Sequence, residues 1–259
     1  MRIHHLNCGS MTLGMVDHCL LIETDTGLVL VDTGYGLECV RDPGRMMGPA
    51  RFSLGAKLLE RETAVRQIQA LGYDPADVRD IVLTHLDLDH AGGLADFPDA
   101  TVHVHGPELR AATSAKGLFD KLRYQPAQWA HRPKWLTNEI DGGAEWFGFR
   151  AVRDLPGLPP EILVVPLYGH TEGHVGVAVD TGDGWLLHAG DAFYVGSEVD
   201  PVHPRTPLIW QLLELRSLGS SDFRENRERL LELNRAHGGE ITVFSSHDAE
   251  AFARLAGRG

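Results

Sequence analysis

The chain has 259 residues, 43% of them hydrophobic, and a formal charge of −12 from 24 basic and 36 acidic side chains. That length buries a substantial core in one large or two small domains. The negative balance argues against a nucleic-acid or anionic-membrane partner, and no apolar run approaches the roughly 20 residues needed to span a bilayer.

The N-terminus, MRIHHLNCGSMTLG, lacks the apolar core of a signal peptide, and Cys8, Cys19 and Cys39 form no CxxC pair. Both features lead to the expectation of a cytoplasmic protein whose cysteines are small buried hydrophobes. CLLIETDTGLVLVDTG reads as two strands joined at Asp25-Thr26-Gly27 and ending at Asp32-Thr33-Gly34. Residues 41–55 are rich in Gly, Pro, Arg and Met without a period, which predicts a long loop. Leu58, Val65, Ile68 and Leu71 recur at helical spacing, so 56–71 is expected to be a helix stopped by Gly72.

IVLT (81–84) follows as a buried strand, and TVHVH (101–105) alternates like another. Residues 118–150 hold seven aromatics and no steady period, which suits either an insertion with a partly exposed aromatic wall or a packed corner. Three more strands are expected at 162–167, 175–180 and 184–190. A helix then starts near Asp222 as N-cap, with Glu225 as capping-box partner and Gly238-Gly239 as the stop. The final strand, EITVFSS, delivers His247. Each half runs from strands through a helix to a last strand, which argues for a single α/β sandwich domain over 1–259, with an insertion around 118–150.

Polar residues collect where these strands end. LTHLDLDHAGGL places His85, Asp87, Asp89 and His90 just past a buried strand. YGHTEGH offers His170 and His174, HAGD offers Asp191, and SSHDAE offers His247. A lone histidine is more often a satisfied core or surface residue than a ligand. Four strand-end deposits of imidazole and carboxylate are a different matter, since two divalent ions need about six or seven such ligands.

The pattern resembles the metallo-β-lactamase fold superfamily. Its HxHxDH element is present as His85-Leu-Asp87-Leu-Asp89-His90, its GH[TS]xGH element as Gly169 to His174, its GD element as Gly190-Asp191, and its last histidine as His247, with VDTG at 31–34 in the matching early loop. The resemblance implies a four-layer αβ/βα sandwich with a dinuclear site at one edge. It assigns His85, Asp87 and His170 to a first ion, Asp89, His90 and His247 to a second, and Asp191 to the bridge. Asp32 is expected behind the ligands, and His174 is expected to support its loop.

Position 87 departs from the pattern, which has His there. An aspartate either ligates, giving a more anionic site and shifting preference from zinc toward iron or manganese, or fails to reach and weakens the first subsite. The expected activity is metal-dependent hydrolysis of an ester or lactone-type small molecule by a metal-bridging hydroxide. Asp89 would move the proton. Tyr194, placed as in acyl-homoserine lactonases, would assist at the carbonyl or else simply pack at the rim. An iron oxidoreductase and a metal-poor binding protein of the same fold are the competing readings. His4, His5, His103 and His105 read as structural, and His188 as the one of these nearest the site. FSLGAKLL offers a lid or a homodimer contact, and the sequence leaves both open.

Overall fold

A computed structural model describes residues 1–52, 55–114, 117–140, 143–151, 155–214 and 220–257. Six strands form the first sheet in sequential order: β1 (Arg2–Asn7), β2 (His18–Thr24), β3 (Gly27–Val31), β4 (Val78–Val82), β5 (Thr101–His105) and β6 (Lys134–Asn138). β1 to β3 pair antiparallel and β3 to β6 pair parallel. A small hairpin follows, β7 (Ala144–Trp146) and β8 (Phe149–Ala151). The second sheet has β9 (Ile162–Pro166), β10 (Val175–Asp180), β11 (Trp185–His188) and β12 (Ile241–Phe244) in the order β12-β11-β10-β9, with β12 parallel to β11.

Strand alternation sorts the core into layers, because successive side chains point to opposite faces of a sheet. On β2, Leu20 and Ile22 face a cluster shared with Val164 of β9 and Val177 and Val179 of β10, so this core lies between the two sheets. Cys19 and Leu21 face the other way, toward Val65 and Ile68 of one helix and Ala112 of another. On the second sheet, Leu163, Val165 and Ala178 turn outward against Leu230 and Leu233. The result is the expected helix-sheet-sheet-helix stack. All three cysteines are buried and unpaired.

The helical segments are α1 (Leu37–Arg41), α2 (Pro43–Met47), α3 (Ala64–Ala70), α4 (Leu88–Ala91), α5 (Gly106–Thr113), α6 (Leu118–Arg123), α7 (Leu208–Glu214), α8 (Ser221–His237) and α9 (Ala249–Ala256). Among the described residues, no helix is long and apolar enough to cross a membrane.

Three local expectations need correction. Residues 41–55 are not a plain loop. Asp42 accepts the Arg45 N–H and Pro43 starts α2, after which a 3-10 turn covers Gly48–Phe52. Residues 53–54 lie outside the described residues. The helix expected from 56 begins only at Ala64, because Leu58 adopts φ 48° and breaks the run. At the last long helix the N-cap is Ser220, and Asp222 sits inside the first turn, so no Asp222–Glu225 capping box forms.

Residues 118–150 allowed two readings, and the packed corner is the one that the described side chains fit. Among the described residues, Tyr124, Trp129 and Trp135 join the first core, Trp146 and Phe149 join the outer core of the second sheet, and β6 extends the main sheet.

Candidate metal centre

Each ligand expected from the sequence follows the carboxyl end of a strand, at one edge of the sandwich. β3 leads to Asp32, β4 to the segment containing α4, β11 to Asp191 and β12 to His247. In sheets with parallel strands this end opens into a crevice where ligands bind.

The side chains converge in three overlapping groups. His85, Asp87 and His170 place one ligating atom each within 4.8 Å of one another. So do His85, His90 and Asp191, and so do Asp89, His90 and His247 together with Asp17. Asp191 joins the first set to the others. Its Oδ1 lies 3.3 Å from His90 Nε2, and its Oδ2 lies 3.0 Å from His247 Nε2 and 3.6 Å from His170 Nε2. Asp87 is within reach of its neighbours despite its short side chain, with Oδ2 3.0 Å from His170 Nε2 and 3.5 Å from His85 Nε2.

Hydrogen bonds behind these groups decide which nitrogen each imidazole presents. His90 donates from Nδ1 to Asp32 Oδ2 at 2.8 Å. Thr84 donates its hydroxyl to the same oxygen at 2.8 Å, so His85 Nδ1, 2.9 Å away, donates to the Thr84 hydroxyl. His247 donates from Nδ1 to the Val16 carbonyl at 2.9 Å. All three rings therefore turn Nε2 into the site, which is how partners behind a metal site fix the tautomer of its ligands. His174 does not join a ligand group. It donates to the Leu167 carbonyl and accepts the Asp191 N–H at 2.9 Å, so it holds the backbone at Asp191. Gly190 is required beside it, since it adopts φ 54° and a Cβ there would lie 2.5 Å from His174 Nε2.

The electrostatics are those of a cation site. Burial raises the carboxyl of Asp191, but His247 and His90 overcome this and hold it well below the usual range. Burial lowers His247, yet Asp191, Asp89 and Asp17 hold it up at about 10. His90 is raised well above its ordinary value in the same way, by Asp191 and Asp32 against its own burial. At His90 and His247 the carboxylates thus outweigh desolvation and draw positive charge, whereas burial and the nearby Arg123 lower His170. His85 Nε2, His90 Nε2 and Asp191 Oδ1 are buried without a hydrogen-bond partner among the described residues. Such atoms cost about 1–3 kcal/mol each when unsatisfied, and a borderline-hard divalent cation fits this set of imidazole and carboxylate donors.

Tyr194 stands at the rim of the site. Its ring stacks at 12° on both His247 and Trp210, and its hydroxyl lies 3.5 Å from His170 Nδ1. Around it lies an apolar cluster that includes Met11, Met46, Met47, Leu88 and Phe223. Segment 41–55 thus reaches the rim of the site through α2. From 118–150, Ala127 reaches this cluster.

Other histidines are structural. His103 pairs with Asp80 at 2.8 Å, and His188 donates to the His18 carbonyl and accepts the Gly190 N–H, so it touches the Asp191 turn without facing the ligands.

Three residues of the site escape sequence reasoning. Asp17 is buried with Oδ1 3.9 Å from His247 Nδ1, and burial followed by Asp89 pushes its carboxyl well up. Glu108 of α5, fully buried, accepts the Leu86 N–H at 2.9 Å and the Gly173 N–H at 3.0 Å, and so ties the two ligand-bearing loops together. Arg123, at the end of α6, lies 3.4 Å from Asp87. A carboxylate three residues past a strand was the one signal available for Glu108, and none marked the other two.

The fold and this donor set define a metallohydrolase-type sandwich, and the chain belongs to the metallo-β-lactamase superfamily, whose family model matches residues 15–237. A probable metallo-hydrolase of Mycobacterium tuberculosis is 45% identical over 255 residues, covering 97% of this chain and 81% of that one. An N-acyl homoserine lactonase of a Bacillus species is 29% identical over 178 residues, 68% of this chain and 63% of its own. Among solved structures, an N-acyl homoserine lactone hydrolase with N-hexanoyl-L-homoserine at its metal centre superimposes with a TM-score of 0.69 at 22% identity. That match covers 97% of this chain and 95% of the other, and it speaks to the fold.

Proposed function

We propose that this chain is a metal-dependent hydrolase that opens lactones or esters of small molecules with the aid of two divalent ions, zinc foremost, with iron or manganese as the other candidates. Divalent metal binding is supported by the family and by the clustered ligands. The observation that carries the dinuclear reading is the position of Asp191, whose two oxygens face His90 on one side and His247 and His170 on the other. The lactonase relatives support the lactone and ester class of substrate.

His85, Asp87 and His170 would hold one ion, Asp89, His90 and His247 the other, and Asp191 both. When bound, the ions supply Lewis acidity and lower the pKa of water enough to give a nucleophile at neutral pH. The chain supplies the rest. Asp32, through Thr84 and directly, keeps two imidazoles in the ligating tautomer. Asp89, with Oδ2 3.7 Å from His247 Nε2, is placed to take a proton and return it to the leaving alkoxide. Tyr194 presents a phenol O–H beside His170, suited to donating to the carbonyl oxygen as charge develops there.

The test is a panel of lactones, aryl esters and phosphoesters assayed with the wild type and with Asp191→Ala. Turnover of a lactone or ester above the mutant background supports the reading. Turnover of phosphoesters alone, or of nothing, removes the substrate assignment.

A further inference from the structure

Asp87 is the one ligand position at which this chain departs from its family's pattern, and the structure supplies it with a cationic neighbour from a remote part of the sequence. Arg123 Nε lies 3.4 Å from Asp87 Oδ1. The same guanidinium donates from Nη1 to the backbone carbonyl of His170 at 2.6 Å. One side chain therefore touches two of the three residues in the first ligand group. Neither partner is at the open surface: the two side chains are 24% and 16% exposed. The carboxylate is divided between two neighbours. Oδ2 faces His170 and His85, while Oδ1 is buried, without a hydrogen bond, and faces the guanidinium.

We propose that Arg123 is a positioning residue of the metal centre, and that the Asp87–Arg123 pair stands in charge for the neutral imidazole of the family pattern. This rests on the ligand assignment proposed above. An aspartate in place of a histidine adds one negative charge to a site already holding Asp89 and Asp191. The guanidinium returns the sum to that of an imidazole, and it leaves Oδ2 as the oxygen turned toward the ion. The carboxylate therefore does not make the centre more anionic, contrary to what the sequence alone suggests. An arginine is suited to this place because it stays charged when partly buried and its planar head serves two acceptors at once.

With imidazole at position 87, Arg123 would face a dication with no carboxylate between them. Repulsion of that kind at close range weakens cation binding by at least about tenfold. The full chain, stripped of metal, is titrated with zinc against a chromogenic chelator, as wild type, Asp87→His, Asp87→His/Arg123→Gln and Asp87→His/Arg123→Lys. One equivalent is expected to weaken at least about tenfold in Asp87→His, to recover to within about threefold of wild type with Arg123→Gln, and to stay weak with Arg123→Lys.

The thermal midpoints of the metal-free proteins give a second reading, since an unpaired, partly buried guanidinium is costly. A drop in Asp87→His that Arg123→Gln reverses and Arg123→Lys does not is the expected pattern. Undiminished zinc affinity in Asp87→His, or no recovery with Arg123→Gln, overturns the pairing while leaving the ligand set standing. A wild type that takes up no metal overturns the ligand set itself.

Discussion

Asp32 accepts the Nδ1 proton of His90 at 2.8 Å from a backbone position with φ 56°, a conformation that most side chains avoid. Burial raises the Asp32 carboxyl, but His90 more than offsets it and keeps the group ionised, which is what an acceptor for that proton requires. Asp32→Asn keeps the shape and tolerates the same backbone. Its amide cannot accept from His90 while also serving Thr84, so His90 is expected to lose the tautomer that presents Nε2. Metal affinity should fall about 10- to 100-fold with little change in fold, as read by chelator competition and circular dichroism. Unchanged affinity would mean that the tautomer is set elsewhere.

Glu108 supports the site from outside it. Glu108→Ala leaves the buried N–H groups of Leu86 and Gly173 without their acceptor, a loss of about 1–3 kcal/mol for each, and frees the two ligand loops from one another. Urea unfolding should show a lower midpoint, and zinc affinity should fall with it. Gly173→Ala attacks the same junction sterically. Its Cβ would lie 2.2 Å from the Glu108 backbone nitrogen, so a destabilisation of about 3 kcal/mol or more is expected. A stable Gly173→Ala protein would contradict this close approach.

Tyr194 separates packing from chemistry. Its ring is held between Trp210 and His247, and Phe can fill that slot. Tyr194→Phe should therefore keep its metal and thermal midpoint while kcat on a lactone falls about 100-fold. Full activity in this variant would reduce the tyrosine to a packed aromatic.

Acid sensitivity has a defined window. Burial lowers His5 to about 4, with His188 and His4 adding repulsion, and burial likewise lowers His105 to about 4. Above pH 6.5 both states hold these rings neutral, so neither contributes a slope. Between 6.5 and about 4 the unfolded chain binds protons that the folded chain refuses, and stability falls as pH falls. His105→Phe removes one such group. The difference in its urea midpoint from wild type should shift in the variant's favour between pH 7.5 and pH 4.5; a pH-independent difference would contradict the assignment.

The candidate metal centre was legible because its candidate ligands sit at strand ends in short runs such as HLDLDH and GHTEGH, where spacing and residue type coincide. The layered core was legible from alternation in β2, β9 and β10. Residues 41–55 were harder, since glycine and proline content masked the Asp42-Pro43 helix start. β6 has one clear neighbour, the parallel β5, supplied by tertiary contact and not by its own pattern. Arg123 and Glu108 meet the ligand loops only after folding brings residues 36 and 22 positions apart together, as with Arg123 and Asp87 or Glu108 and Leu86. No local spacing encodes such a meeting.

The proposed site would hold two divalent ions, one at each set of histidines and carboxylates, with Asp191 serving both. The most direct test is the metal content of protein purified without chelator, by inductively coupled plasma mass spectrometry, for wild type beside Asp191→Ala. The expected result is close to two equivalents, chiefly zinc, in the wild type and a clear loss in the variant. One equivalent or none in the wild type, after zinc is offered in excess and the unbound ion removed, would contradict it.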